Sequence, residues 1–520
     1  MKKAIFILFG ITLLNLQTVI AQEFTTEMKT IYTSASESAR LQHIKSALDS
    51  KGNIHIVFTG YENHPYYGTN KSGAWKFEKL EYLDTDYNET YDVAYYPNIA
   101  IDKKNNINIL MFDRYKEKIL FAKKPSSADE WKFTTVKVSP EPLRFLVYGD
   151  YTDMAIDEND GLHVVCMADY TSQNEHKSNM SAIYLNKSSN SENWQLQLLV
   201  QTNEEQFNNN WFYGNNSSIA CYNDKVYAAI GGSNELHFGT RKISGGFWDI
   251  EKLIQTPDEF INSEKDMLSL AVSPNGSMKF AFFDRTDDEK SPYLGLTIFS
   301  QSSCGNDDWK GFNGFSEPLS KNRPAMAIDN NGKTYIAIGR NQFTLFHQAC
   351  DCDNEYERIF SDNQNSADFV DMLIDKQNVV HTFFTSNNDN NLYHLTAKPN
   401  SSTEECNYPP TITNYTGKTN VAPGEEWTAT IAASDPECDK INFYTITKPD
   451  YFMVNDHGDG TATIKARMPE GDGFGDSGLT VFVRDDKHEN IDNKVSAITF
   501  KLRLTQEGKE KGSIKVENKC

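Results

Sequence analysis

The sequence predicts an all-β protein built mainly from one unit written seven times, and three observations carry that reading. Apolar stretches are short and alternating, as in "NIHIVF" and "KVYAAI", and Gly, Asn, Asp or Ser bounds each one, whereas stripes at helical spacing are almost absent. One phrase recurs: "SALDSKGNIHIVFTG" from Ser46, "NIAIDKKNNINILMFDR" from Asn98, "DMAIDENDGLHVVCMAD" from Asp153 and "AMAIDNNGKTYIAIGR" from Ala325. Aligned on it, seven copies fall at Asp49, Asp102, Asp157, Tyr222, Ser273, Asp329 and Asp375, with gaps of 53, 55, 65, 51, 56 and 46 residues. That period is one four-stranded blade, so residues 22–400 are expected to form a seven-bladed β-propeller.

Within a unit the order is constant. An apolar strand leads into a turn rich in Asp, Asn and Gly; a second apolar strand, a polar loop and a third strand follow. A turn ending in Trp75, Trp131, Trp194, Trp248 or Trp309 then precedes a fourth strand such as "KFEKLEYL" or "KFTTVKVS". The seventh unit, "FVDMLIDKQNVVHTFFTSNNDNNLYHLTAKP", runs out after its third strand. The stretch "EFTTEMKTIYTS", Glu23 to Ser34, has fourth-strand character and is expected to complete that blade, closing the ring and removing an open edge. The repeated Asp falls in the turn between strands one and two. There its carboxylate can accept backbone N–H groups and hold the hairpin, which makes the phrase scaffold rather than site.

The Trp-bearing turns "SGAW", "SSADEW", "SSNSENW", "SGGFW" and "SCGNDDW" resemble degenerate Asp-box (BNR) turns of sialidases and related propellers, and the resemblance implies architecture. At the N-terminus, Met1-Lys2-Lys3 followed by "AIFILFGITLLNL" and Val19-Ile20-Ala21 reads as a secretory signal peptide, residues 1–21, cut before Gln22. The mature chain is therefore expected to be exported, extracellular or periplasmic, without a membrane span and as a monomer. A formal charge of −21 argues against nucleic acid as partner, because phosphate backbones need clustered Lys and Arg.

The pattern changes at "NSSTEECNYPPTITNY", and residues 401–410 read as a linker. From residue 411 to 505, "PGEEWTATIAASDPECDKINFYTI" and "DGDGTATIKARMP" resemble the bacterial Ig-like or cadherin-like β-sandwich modules of extracellular proteins, which implies a spacer or docking module. In that family the D-P-E-G-D turn often carries calcium. Here Cys438 replaces the Gly, leaving Asp435, Glu437 and Asp439 as candidate ligands, with Asp485 and Asp486 able to contribute; an acidic surface turn is the other reading. The propeller requires no cofactor on this reading. Residues 506–520 form a polar tail expected to lack order.

Eight Cys in an exported chain invite disulfides: Cys304 with Cys350 or Cys352, and Cys406 with Cys438. His347 beside Cys350 and Cys352 leaves zinc as an alternative, while Cys166 and Cys221 read as buried thiols.

Chemistry is expected on the face carrying the loops between strands two and three and the leading ends of the first strands. Sorting residues by that rule gathers Arg40, His43, Tyr61, His64, Tyr96, Arg114, Tyr115, Tyr151, Asp169, Tyr170, Trp211, Arg285, Arg323 and Arg340. Aromatics for stacking, arginines and carboxylates suit an acidic polysaccharide or glycoconjugate. A lyase acting on a uronate needs a cation for the carboxylate and a His or Tyr for proton transfer, for which His43, His64, Arg114 and Tyr115 are the candidates. The phrase "GNIHIVFTGYENHPYYGTN" resembles the blade-one phrase of BNR-type propeller polysaccharide lyases, although the His-Asn pair usual before the first strand is missing. A hydrolase would use two carboxyls, from Asp113, Asp169 and Asp284. Sialidases are disfavoured, since their Phe-Arg-Ile-Pro motif is absent. A non-catalytic binding propeller, spaced from a surface by the sandwich, remains the alternative to an enzyme.

Overall fold

The computed structural model describes residues 24–34, 40–60, 63–84, 89–91, 95–113, 118–139, 152–169, 180–200, 213–232, 235–255, 265–273, 278–284, 295–301, 310–315, 324–339, 343–348, 356–362, 367–386, 388–400, 410–422, 424–435, 439–446, 450–467, 475–486, 496–504 and 513–517. The expected signal peptide lies outside them, as do Cys304, Cys350, Cys352, Cys406, Cys438 and Cys520. Cys166 and Cys221 are free thiols, and burial pushes Cys166 up to about 12 and raises Cys221 as well.

The described residues are all-β. From Phe24 to Pro399 they form seven sheets of four or five strands, whose consecutive strands pair antiparallel, and one two-stranded sheet. Blade one runs Gln42–Leu48, Ile54–Thr59, Pro65–Thr69 and Lys76–Lys79; blade two runs Tyr95–Ile101, Ile107–Asp113, Lys118–Lys124 and Lys132–Thr135. The blades that follow begin with Asp153–Ile156, Tyr213–Tyr222, Lys265–Val272, Ala325–Ile328 and Ala367–Ile374. These innermost strands touch in order around a ring, and the seventh touches the first. Phe24–Thr33 pairs antiparallel with Asn391–Pro399 and supplies the outer strand of the last blade. Blade three gains a fifth strand, because Val138–Ser139 pairs parallel with its outer strand. A hairpin of Tyr82–Asp84 and Glu89–Tyr91 was not expected from the repeat.

The second strands explain the long apolar runs. Ile54–Thr59 and Ile107–Asp113 are buried at every position. Each is the middle of a blade and is covered on both faces by neighbouring blades, so no polar alternation survives. Outer strands such as Lys132–Thr135 keep the alternation because one side meets solvent.

The repeated Asp behaves as scaffold in all five units that carry it. Oδ1 accepts two backbone N–H groups, two and four residues on: Lys51 and Asn53 for Asp49, Lys104 and Asn106 for Asp102, Asn159 and Gly161 for Asp157, Asn331 and Lys333 for Asp329, Gln377 and Val379 for Asp375. In three units a His six positions later joins the same carboxylate. His163 Nε2 lies 2.9 Å from Asp157 Oδ2 while its Nδ1 meets Tyr184 Oη at 2.5 Å. His55 lies between Asp49 and Tyr67, and His381 between Asp375 and His394. Burial lowers the pKa of all three histidines, opposed by their Asp partners.

Residues 411–504 form a second unit of two sheets. One orders Thr411–Thr416, Glu426–Ser434, Thr461–Arg467 and Phe452–Asp456; the other orders Asn420–Val421, Ser496–Leu504, Gly475–Asp485 and Ile441–Tyr444. Trp427, Phe452 and Phe500 fill the space between them, and Trp427 Nε1 donates to the Lys418 carbonyl at 2.6 Å. The tail corrects the sequence reading: Ser513–Glu517 is a strand paired with Ser496–Leu504. Its alternation, with Ile514 and Val516 against the core and Ser513 and Lys515 outward, is what the polar composition concealed.

Candidate active site

The register places the leading end of each first strand beside the exit of the second. Gln42 pairs with Thr59, Tyr95 with Phe112 and Ala367 with Ser386. On this face five of the first strands are bulged, at Gln42/Lys45, Tyr95/Asn98, Tyr213/Asn216, Asp266/Ser269 and Ala367/Val370. A bulge bends the strand and re-aims a side chain, so the same device shapes the rim of blade after blade.

In blades one and two the bulge carries a non-glycine residue in left-handed backbone, His43 and Tyr96, each with φ of 52°. Both stand six positions before the repeated Asp. Their rings meet edge-on with centroids 4.2 Å apart, and the other side of His43 lies 4.6 Å from Phe369, six positions before Asp375. Three neighbouring blades therefore contribute matching positions to one aromatic group. His43 is half-buried beside these two rings, and burial pushes its pKa down to about 3. Asn98 fixes the next blade by donating to the carbonyls of Tyr96 and Thr152, at 3.0 and 2.8 Å.

Two residues further along the strands lies a charged layer. Lys45 Nζ is 2.8 Å from Asp153 Oδ1 in blade three and 3.9 Å from Asp371 Oδ1 in blade seven. Asp371 Oδ2 also accepts the Ser46 backbone N–H at 2.7 Å, and Asp153 Oδ2 accepts Ser218 Oγ at 2.7 Å. Ser218 Oγ in turn accepts the Leu270 N–H, and Ser269 Oγ the Met326 N–H. Lys45, Asp153, Ser218, Ser269 and Asp371 all stand four positions before the aligned position of the repeat. The layer ties blades together beneath the aromatic group. Sequence reasoning missed Lys45, Asp371 and Phe369; this fixed offset was the available signal.

Of the sequence-selected residues, Arg40 is exposed three positions before His43. His64 is buried at the end of the loop between strands two and three of blade one, where its carbonyl accepts the Gly60 N–H at 2.7 Å. Asp113 is buried at the last position of its strand, and Asp169 and Asp284 end theirs. Tyr61, Arg114, Tyr115, Tyr151, Tyr170, Trp211, Arg285, Arg323 and Arg340 lie outside the described residues.

In the sandwich, Asp435 is buried and its Oδ1 accepts the Asp439 N–H at 2.9 Å; Glu437 lies outside the described residues. Among the described residues no group of three His, Cys, Asp or Glu side chains gathers as metal ligands. His347 of the zinc alternative is buried against Phe24 and lies 3.6 Å from Glu357.

A ring of four-stranded blades, with an aromatic group over an ion-paired axial layer, defines a β-propeller with a candidate ligand face at its axis. No family model and no curated relative matches the chain. Among solved structures it is similar to an ulvan lyase of polysaccharide lyase family PL25, at 10% identity and a TM-score of 0.49 over 72% of this chain and 94% of that one. It is also similar to the α-L-arabinofuranosidase Arb93A from Fusarium graminearum, at 11% identity and 0.43 over 72% and 99%. A third likeness is to the NanB sialidase from Streptococcus pneumoniae, at 10% identity and 0.37 over 72% and 70%.

Proposed function

We propose that this is an exported carbohydrate-active protein whose axial face binds an acidic polysaccharide and cleaves it as a lyase. The observation that carries the reading is His43: a histidine held in left-handed backbone at the rim, uncharged over the neutral range, and in ring contact with Tyr96. Backbone strain of this kind, on the order of 1–3 kcal/mol per residue, concentrates at working sites.

In the reaction the C5–H bond of a uronate breaks as its proton passes to a base. The electron pair forms the C4=C5 double bond, and the C4–O bond breaks, its oxygen taking a proton. His43 is the base, because an uncharged imidazole can accept the proton, and an arriving uronate carboxylate raises its basicity by adding a nearby negative charge. Arg40, exposed three residues away, is the cation for that carboxylate, and Tyr96 is in ring contact with the imidazole. His64 enters the reading as the partner that protonates the leaving oxygen. The sandwich serves as spacer, and calcium at Asp435, Glu437 and Asp439 belongs to the same proposal.

The low basicity of His43 favours a second reading, recognition without cleavage, in which His43, Tyr96 and Phe369 stack a sugar. One experiment separates them: ultraviolet absorbance of the new conjugated double bond, followed with a panel of uronate polysaccharides. Absorbance that vanishes in His43→Ala supports the lyase. Binding with no absorbance and no reducing ends overturns it in favour of recognition, and reducing ends alone move the chemistry to the carboxylates.

A further inference from the structure

On the opposite face, between blades two and three, lies a cavity of about 110 Å³ that the axial reading does not use. An engineered cavity of about 150 Å³ holds a benzene, so this one has room for a small polyatomic group rather than for water alone. Its floor and walls come from the Asp102 turn, the third strand of blade two and the turn after the third strand of blade three. Three lysines line it, Lys104, Lys123 and Lys187, against two carboxylates, Asp102 and Asp160, in a protein whose formal charge is −21.

The two carboxylates of the lining accept backbone and amide N–H groups. Asp102 spends Oδ1 on the Lys104 and Asn106 N–H groups and Oδ2 on Asn106 Nδ2. Asp160 holds the Lys103 N–H through Oδ1 at 2.8 Å. Lys187 packs its ammonium over the Phe121 ring at 4.8 Å and reaches Glu192, an exposed residue, at 3.5 Å. Among the described residues, Lys104 and Lys123 form no ion pair. Asn108, 2% exposed, contributes an amide whose bonds to the carbonyls of Ala100 and Asn106 are long, 3.4 and 3.3 Å. Two ammonium groups without an ion pair among the described residues, a third shared between Glu192 and the Phe121 ring, and an amide held in two long bonds can together meet an acceptor with several oxygens.

We propose that this cavity is a binding site for an oxyanion, a sulfate or carboxylate group, either free or borne on a polysaccharide. It is separate from the axial site and does not depend on that site being catalytic.

The test uses the full mature chain. Equilibrium dialysis with radiolabelled sulfate, at ionic strength held constant with chloride, reads the free anion. Electrophoresis through gels containing heparin reads the polymer-borne one. Lys104→Gln/Lys123→Gln is the variant, and Lys71→Gln/Lys465→Gln, equal in charge change but remote from the cavity, is the control; thermal unfolding confirms that both fold. The expected result is saturable sulfate binding that weakens about tenfold or more in the variant and not in the control. Loss of heparin retardation in the same variant identifies a polymer-borne group, and unchanged retardation identifies a free anion. Sulfate binding absent from the unmodified protein, or equal in variant and control, overturns the proposal. Loss of cleavage or binding at the axis would leave the sulfate measurement untouched, and the heparin arm is read as the difference between variant and control.

Discussion

The imidazole of His43 and the ring of Tyr96 meet edge-on at 4.2 Å, although 53 residues separate them and each stands on left-handed backbone. The contact exists because two bulges at matching positions of neighbouring blades turn their side chains towards the same point. It is also what dries the imidazole. Tyr96→Ala should therefore admit water to one side of His43 and raise its pKa from about 3 towards the ordinary value of 6.5, whereas Tyr96→Phe should leave it low. Proton NMR of the imidazole through a pH titration reads both. An unmoved His43 in Tyr96→Ala would show that Phe369 and the backbone alone enclose the ring.

Burial at His43 and His394 also makes stability depend on pH. Both are pushed down to about 3, at His394 first by burial and then by His381 and Lys29. The unfolded chain takes up protons near pH 6.5 and the folded one does not, so the unfolded state binds more protons between these values. Their contribution is complete above about pH 6.5 and is lost progressively as the pH falls towards 3. The thermal midpoint should fall over that window, and His394→Phe should flatten the fall.

Asp157 holds a turn and a buried histidine together, so Asp157→Ala strands the Asn159 and Gly161 N–H groups and His163 Nε2 at once. With at least one buried donor left unpaired, the cost should be about 2–4 kcal/mol in denaturant unfolding. Asp375→Ala should cost less, since the His381 contact is longer, 3.4 Å, and Val379 is half-buried where Gly161 is buried.

Gly339 ends a strand of blade six against blade seven. A Cβ there would stand 2.5 Å from the Ala367 carbonyl oxygen and 2.9 Å from Val370 Cγ2, and backbone cannot step aside as a side chain can. Gly339→Ala should destabilise by about 1–3 kcal/mol, whereas Gly73→Ala, with open space around it, should respond only to its φ of 82°.

Phe24, 4% exposed, anchors the outer strand of the last blade between Tyr335 and His347. Phe24→Ala should cost about 3–5 kcal/mol and loosen that strand. Limited proteolysis should then cut first near the N-terminus, and early cutting in the sandwich instead would show that the strand is not what holds the blade.

Much of the scaffold could be read in the chain because its signals are local. The period of the repeat, the unbroken apolar second strands and the Asp that folds back on N–H groups two and four residues ahead all lie within one unit. The tail was misread for the opposite reason: Ile514 and Val516 are too few to signal a strand until the partner, Ser496–Leu504, offers its edge.

The candidate site divides along the same line. That His43, Arg40 and Tyr96 share a face follows from counting strands, and His43 and Tyr96 were chosen on that basis. That Phe369 completes their group, and that Lys45 spans Asp153 and Asp371, follows only from ring closure, which brings blade seven against blade one and aims blade three across the axis. A sequence specifies by itself what each unit does with its nearest neighbours in the chain. The central layer needed the tertiary structure, because an ion pair between residues 45 and 371 is set by the geometry of the closed ring and by no local propensity.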